Sequence, residues 1–438
     1  MRLFRSACLI ALLLPAGGAL AGAPRSIVID GNLPDGGDCA ALGSWNGSGL
    51  CDIDTVMLGT GDELIVESAT LELGSLVNLG GVFDNRDTAG IGDLRNAGTI
   101  LSGPDATLFL WGSPDPAGLQ RNSGLIDSDG PLYFFGGFRN ESRGRIEVSD
   151  GVLISTSTGG FRNAGTLVVD GGTLSADQSF ENAAGATIVV KGGGSAFFDS
   201  VVVLSNHGRI DNYTWFGGFG WAMTNAGVFN NYGTLTTCDD FLFGSITNSG
   251  ELNNFGSLGV CGDVENAGMV NNAGQINGFY DGSVPNLGTI IDCGLISAPV
   301  TGNSPVADAD GDGDGWCDQR DCAAGDATLW QSAGDARLLR LAPDELVPEL
   351  TRLDWSSPLY PGGAGSLTYD LISAGGPLEF DAGAFCVEAG DGADATASDT
   401  VPVSPGEIRY YLVRAQNPCG GSAGATSAGV SRSVRSCP

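Results

Sequence analysis

The triplet Asn-x-Gly, usually with Ile, Leu or Val within the next two residues, recurs at Asn78, Asn96, Asn122, Asn163, Asn206, Asn225, Asn248, Asn266 and Asn286. Looser copies stand at Asn140 and Asn182, each with extra residues before its glycine. With these two counted, the intervals from Asn122 to Asn266 alternate between 18 or 19 residues and 23 or 24. Every second copy therefore returns after 41 to 43 residues. A supersecondary unit that repeats about every 20 residues cannot bury its own apolar face and must stack on its neighbours, so this period predicts a solenoid.

The later copies say more. NAGVFNNYGTL from Asn225, NSGELNNFGSL from Asn248 and NAGMVNNAGQI from Asn266 are one 11-residue phrase, of which NHGRIDNYTWF from Asn206 is a degenerate relative. Each full copy holds two Asn-x-Gly corners six residues apart, with a short alternating strand after each. Glycine adopts positive φ at little cost and asparagine tolerates it, so both residue types suit a corner. Coils stacked about 4.8 Å apart place Asn over Asn, where the amides can form a ladder. Alternation then directs Leu167 and Val169, or Ile188 and Val190, into the core.

On these residues the chain resembles right-handed parallel β-helices. The Asn-x-Gly phrasing is similar to the repeats of filamentous-haemagglutinin-type adhesins and polymorphic bacterial surface proteins. The resemblance covers roughly Ile53 to Ile296 and implies about 12 coils, a rod roughly 55 to 60 Å long. Ahead of it, DCAALGSWNGSGLCDIDT (Asp38 to Thr55) resembles the disulfide-clipped cap of exported bacterial β-helices. A cap is required because the first coil would otherwise expose a strand edge and an apolar core.

Residues 1–21 read as a signal peptide: Arg2 and Arg5 precede an apolar run, and Ala19-Leu20-Ala21 forms a cleavage pattern. Cys8 lies inside the run rather than at its end, which argues against lipidation. No later stretch reaches the roughly 18 to 20 apolar residues that span a bilayer, so no membrane insertion is expected. Ten of the 11 cysteines follow the signal, and export places them where disulfides persist. Local pairing is expected for Cys39 with Cys51, Cys238 with Cys261 and Cys317 with Cys322. A net charge of −31, with 20 Lys and Arg against 51 Asp and Glu, argues against nucleic acid or an anionic membrane as partner. Cations are the more natural companions.

Parallel β-helices often host pectin-active enzymes, so the catalytic candidates must be weighed. His207 with Arg209 and the later Asp239-Asp240 faintly echoes a polygalacturonase set, but in reversed order. His207 also occupies the variable position of an Asn-x-Gly corner. A lyase needs a base and cations. Lys191, in VVKGGGS, reads as an ordinary turn lysine. No second His exists for a His-rich metal site, and His207 lacks a triad context. The aromatic stretches YFFGGF (Tyr133 to Phe138) and YTWFGGFGW (Tyr213 to Trp221) could stack on sugars or simply pack between coils. Trp215 and Trp221 are the residues that would meet carbohydrate.

The composition changes at DADGDGDGWCDQRDC. Counted from Asp310, carboxylates fall at positions 1, 3, 5, 9 and 12 (Asp310, Asp312, Asp314, Asp318, Asp321). Gly315 holds position 6, and Trp316 offers its carbonyl at position 7. A 12-residue loop wraps Ca²⁺ with this spacing, although Asp replaces the usual Glu at the end. A register starting at Asp308 would put Gln319, a poor ligand, at position 12. With Cys322 following, the pattern resembles thrombospondin type 3 repeats and the Asp-rich calcium loops of exported bacterial proteins. The resemblance implies a structural Ca²⁺.

Beyond it, LTRLDWSS (Leu350 to Ser357), GSLTYDLISAG (Gly365 to Gly375) and PGEIRYYLVRAQNPCG (Pro405 to Gly420) resemble the B, C and F strands of a fibronectin type III-like sandwich, with Trp355 and Tyr411 at its core positions. Three cysteines there, Cys386, Cys419 and Cys437, imply that one pairs outside the domain or stays free. The expected organisation is a signal peptide over 1–21, a disulfide-bonded cap over 22–55, an all-β parallel helix over 56–298, a calcium linker over 299–330 and a sandwich over 331–438. The expected function is a secreted or cell-surface, non-catalytic rod that displays or binds a polysaccharide or another surface protein. The alternative is a lyase or glycoside hydrolase acting on acidic glycans.

Overall fold

The computed structural model describes residues 25–438 apart from 34, 48, 112–119, 150, 156–159, 200–201, 239–242, 344–349, 359–360, 365–366, 382, 393, 402–406, 425–431 and 438. The expected signal peptide and the Asp239-Asp240 pair lie outside the described residues.

The chain is all-β, and the described residues hold one short helix, Cys39–Leu42. It winds into a parallel solenoid of about 12 coils with three walls per coil. The coil Thr166–Asp170, Thr173–Ala176, Phe180–Asn182 shows one strand of each wall. The first wall is a 14-stranded parallel sheet running from Ser26–Asp30 to Val306–Ala307. It therefore begins beside the cap, and Ser26 already pairs with Glu63. The cap itself is the short helix, the Cys39–Cys51 disulfide and an antiparallel pair, Ser44–Trp45 against the start of Leu50–Leu58.

Period-2 alternation fills the interior. Leu167, Val169, Ile188 and Val190 are fully buried. They pair in register, Leu167 with Ile188 and Val169 with Val190. On the third wall Phe138, Phe161 and Phe180 stack along the axis at 5.3 and 4.7 Å. Each coil closes the apolar face its neighbour leaves open, which is why no single turn would be stable alone.

The Asn-x-Gly asparagines stand at the corner between third and first walls and form the expected ladder. Nδ2 of each residue donates to Oδ1 of the next, from Asn96 through Asn122, Asn140, Asn163, Asn182, Asn206, Asn225, Asn248 and Asn266 to Asn286, at 2.7–2.9 Å. Gly80 takes the expected positive φ, at 132°, but most later corner glycines serve a different purpose. Gly165 and Gly227 are absent from the positive-φ positions. A Cβ on Gly165 would lie 2.1 Å from the Gly144 carbonyl oxygen, and one on Gly227 2.0 Å from that of Gly208. Close approach of stacked corners, not a left-handed backbone, excludes a side chain there.

After the last coil the chain returns alongside the first wall. Trp316 packs at a tilt against Phe255 at 4.6 Å, and Arg320 donates to Glu251 at 3.0 Å. Burial, together with the positive charge of Arg145, lowers the pKa of the Arg337 guanidinium. The C-terminal part holds two antiparallel sheets. The first orders Arg337–Pro343, Thr351–Ser356, Thr396–Asp399, and the second orders Phe385–Asp391, Thr368–Ala374, Tyr410–Asn417, Gly420–Ser422. Trp355 and Tyr369 meet edge to face at 5.5 Å in the core between them.

Five disulfides brace the fold: Cys39–Cys51, Cys238–Cys261, Cys293–Cys317, Cys322–Cys419 and Cys386–Cys437. The local pair Cys317–Cys322 expected from sequence does not form. The backbone turns tightly after Cys317, whose carbonyl accepts from the N–H groups of Arg320 and Asp321. Cys317 bonds to the last coil and Cys322 to the sheets. The odd cysteine of the C-terminal domain, Cys419, is thereby paired outward to the linker.

Candidate functional site

The Asp-rich loop brings three of the five expected carboxylates, Asp310, Asp312 and Asp314, close together. Gly313 and Gly315 take φ of 79° and 91°, a left-handed backbone that bends the chain back on itself. Asp310 accepts from the N–H groups of Gly313 at 2.8 Å and Gly315 at 3.1 Å. Asp312 accepts from Asp314 N–H, Asp314 from Trp316 N–H, Asp318 from Gly311 N–H and Asp321 from Ala323 N–H. Both oxygens of Asp310 and one oxygen of each of the other four carboxylates thus fasten the loop. The second oxygens of Asp312, Asp314 and Asp321 are buried and have no hydrogen-bond donor.

Oxygens of Asp310, Asp312 and Asp314 lie within 4.8 Å of one another. Burial, reinforced by Asp312, Asp321 and Asp310, pushes the Asp314 carboxyl up to about 6. Burial and the neighbouring carboxylates also raise that of Asp321. Crowded acceptor-only groups with orphaned oxygens suit a hard cation with oxygen ligands. Asp308 is engaged elsewhere, accepting from Gln319 N–H at 3.0 Å.

The loop is fixed to the rod on three sides. Trp316 is 4% exposed against Phe255, the last ring of a stack formed by Tyr213, Tyr232 and Phe255 at 4.7 and 4.9 Å. Cys317 is bonded to Cys293, and Arg320 pairs with Glu251.

The other candidates are not brought together. His207 is an exposed corner residue. Lys191 pairs with Asp170 at 2.9 Å on the surface. Trp221 cannot contact a sugar: it is fully buried, packs on Phe198 and Phe216, and donates from Nε1 to the Thr236 carbonyl. Trp215 is half-buried and stacked on Phe197 at 6.1 Å. The rings of YFFGGF are similarly engaged. Tyr133 stacks on Phe109 at 5.0 Å and Phe135 on Trp111 at 4.5 Å, so ring faces meet other rings and edges meet solvent.

Two polar features escaped sequence reading. On the outside of the first wall, Asn271 donates to Asn253, Asn253 to Asn230, and Asn230 to the buried carboxylate of Asp211, which also pairs with Arg209. On the outside of the third wall, arginines precede the ladder asparagines in successive coils. The recurring pair Arg-Asn at 95–96, 121–122, 139–140 and 162–163 is the signal that could have revealed them. Comparison with protein-family models, curated proteins and solved structures gives no match in any of the three.

Proposed function

We propose that this is an exported, non-catalytic display protein: a right-handed β-helical rod carrying a fibronectin type III-like sandwich, with a structural Ca²⁺ in the Asp310 to Asp321 loop. One observation carries the reading. The recurring polar residues turn inward and are consumed by the ladder from Asn96 to Asn286, so the repeat builds a scaffold and leaves no recurring reactive group.

Three further points support the parts. Five disulfides suit an oxidising compartment. The three-plus-four strand order of the C-terminal sheets is the order a fibronectin type III-like sandwich would take. The buried, donor-less oxygens of Asp312, Asp314 and Asp321 and the mutual approach of Asp310, Asp312 and Asp314 support Ca²⁺ ligation, with Asp318 and the Trp316 carbonyl as the further proposed ligands. In this reading calcium stiffens the return of the chain onto the rod and takes part in no reaction.

Incubation with pectin, alginate and glycosaminoglycans, followed by assay for unsaturated products and new reducing ends, tests the reading. No turnover is expected. Release of products would overturn it in favour of a polysaccharide lyase or hydrolase.

A further inference from the structure

Arg95, Arg121, Arg139 and Arg162 stand directly above one another on the outside of the third wall. Arg95 pairs in register with Arg121, Arg121 with Arg139, and Arg139 with Arg162. The column begins above Val77 and ends below Glu181, after which the same position holds Ser205, Thr224 and Thr247. Four of the chain's 20 basic residues therefore share one line on a protein of net charge −31.

Like charges placed directly opposite in adjacent strands destabilise a sheet. The two nearby carboxylates offset the column only in part. Glu141 lies 3.2 Å from Arg139 and 3.9 Å from Arg121, and Glu181 pairs with Arg162 at 2.8 Å. Arg95 has no ion pair among the described residues. The side chains of Arg121, Arg139 and Arg162 remain 55%, 38% and 43% exposed. Arg143, also exposed, adds a fifth positive charge on the adjoining corner. Fold stability does not call for this arrangement, whereas an anionic ligand would.

We propose that the column binds a linear acidic glycan laid along the rod axis, one anionic group to each coil. The planar guanidinium fork matches carboxylate and sulfate bidentately. Coils repeat at about 4.8 Å, close to the length of one pyranose unit, so a uronate or sulfated chain keeps step with the arginines. The stripe is one residue wide and about 15 Å long, three coil steps. Duplex nucleic acid, with charges on two strands, needs a broader basic footprint than this stripe on an acidic body gives. The proposal rests on the display reading, to which it adds the class of partner.

The test measures binding of the full chain to immobilised alginate, dextran sulfate, neutral dextran and an oligothymidylate, at low and raised salt. Alginate or dextran sulfate should bind at low salt and weaken as salt rises, and neutral dextran should not bind. Whichever polyanion binds identifies the anionic group as carboxylate or sulfate. The double variant Arg95→Gln with Arg121→Gln should bind at least about tenfold more weakly, the loss expected from about 1.4 kcal/mol. Its melting should be unchanged or raised, because two facing like charges are removed. Arg352→Gln, on the exposed surface of the C-terminal domain, should bind like the parent. The proposal falls if neither polyanion binds, if the double variant binds as tightly as the parent, or if the oligothymidylate matches the glycans. Glycan turnover would overturn the display reading and leave the site standing.

Discussion

Asn163 donates from Nδ2 to Asn182 Oδ1 at 2.9 Å, one coil further along, and to the Thr187 carbonyl at 3.1 Å, while both asparagines are fully buried. Each amide in the column is at once acceptor for the coil before and donor to the coil after. Removing one member breaks two links of the ladder in the interior. Asn163→Ala leaves Asn140 Nδ2 without its 2.8 Å acceptor and Asn182 Oδ1 without its donor. With Asn182 Oδ1 left unsatisfied while Asn140 Nδ2 keeps the Gly144 and Thr166 carbonyls, a loss of about 1–3 kcal/mol is expected in denaturant unfolding. Asn163→Asp should be no milder, because it keeps an acceptor and removes the donor. A change below about 0.5 kcal/mol would show that the ladder does not carry stability.

The glycine of the same corner gives a second test. Gly165→Ala forces a Cβ to 2.1 Å from the Gly144 oxygen, so the coils must part. Gly185 has φ of 79° and open space around its Cβ position, so Gly185→Ala meets only left-handed strain of about 1–2 kcal/mol. Denaturant midpoints should fall further for Gly165→Ala than for Gly185→Ala. The reverse order would restore backbone conformation as the reason for the glycine.

How far the sequence reaches can be judged residue by residue. The period placed Asn163 at a corner and Leu167 and Val169 in the core, because each rests on a short repeat that tertiary packing only reinforces. Trp221 was misplaced because the run Gly217 to Gly220 breaks the alternation, and after it the parity of inward and outward positions is lost. Cys317 and Cys322 are close in sequence, yet a tight turn points them to opposite partners, which spacing alone does not encode. The arginine column was present as a repeated Arg-Asn pair. Its meaning depends on register, and an interval of 26 residues between Asn96 and Asn122 hides that register.

Asp211 provides a pH test. It closes the outer amide ladder as an acceptor-only group, and burial pushes its carboxyl up to about 6 despite Arg209 and the Asn230 amide. The unfolded value is about 3.9. Between roughly pH 4 and 6 the unfolded chain releases this proton while the folded chain keeps it, so stability contributed at low pH is lost as pH rises. Asp211→Asn preserves an acceptor for Asn230 and removes the titration. The difference in unfolding free energy between parent and variant should therefore shift in the variant's favour from pH 4 to pH 6.5. A constant difference would mean that Asp211 is ionised throughout.

The disulfide pattern is checked by non-reducing peptide mapping, which should recover Cys293 linked to Cys317 and Cys322 linked to Cys419. The second closes 97 residues. Loops of this length confer on the order of 4–5 kcal/mol in the chain-entropy picture. Replacing both Cys322 and Cys419 by Ser should lower the melting of the C-terminal sheets while the rod's β signal persists. Recovery of a Cys317–Cys322 peptide would contradict the placement of the loop between rod and sheets.

Calcium should act at that same junction. A ligand that binds only the folded loop stabilises it by about 2.7 kcal/mol at a hundredfold excess over its Kd. Because Trp316 lies against Phe255, binding should also alter tryptophan emission. Chelation is expected to lower the melting of linker and C-terminal sheets by several degrees and to leave the solenoid transition in place, since the ladders and core of the rod contain no calcium ligand. Asp314→Asn removes a charge whose second oxygen lacks any donor, and should abolish the calcium-dependent shift without lowering stability in chelator. If melting and emission are the same with calcium and with chelator, the carboxylates of Asp310 to Asp321 serve only to fold the loop.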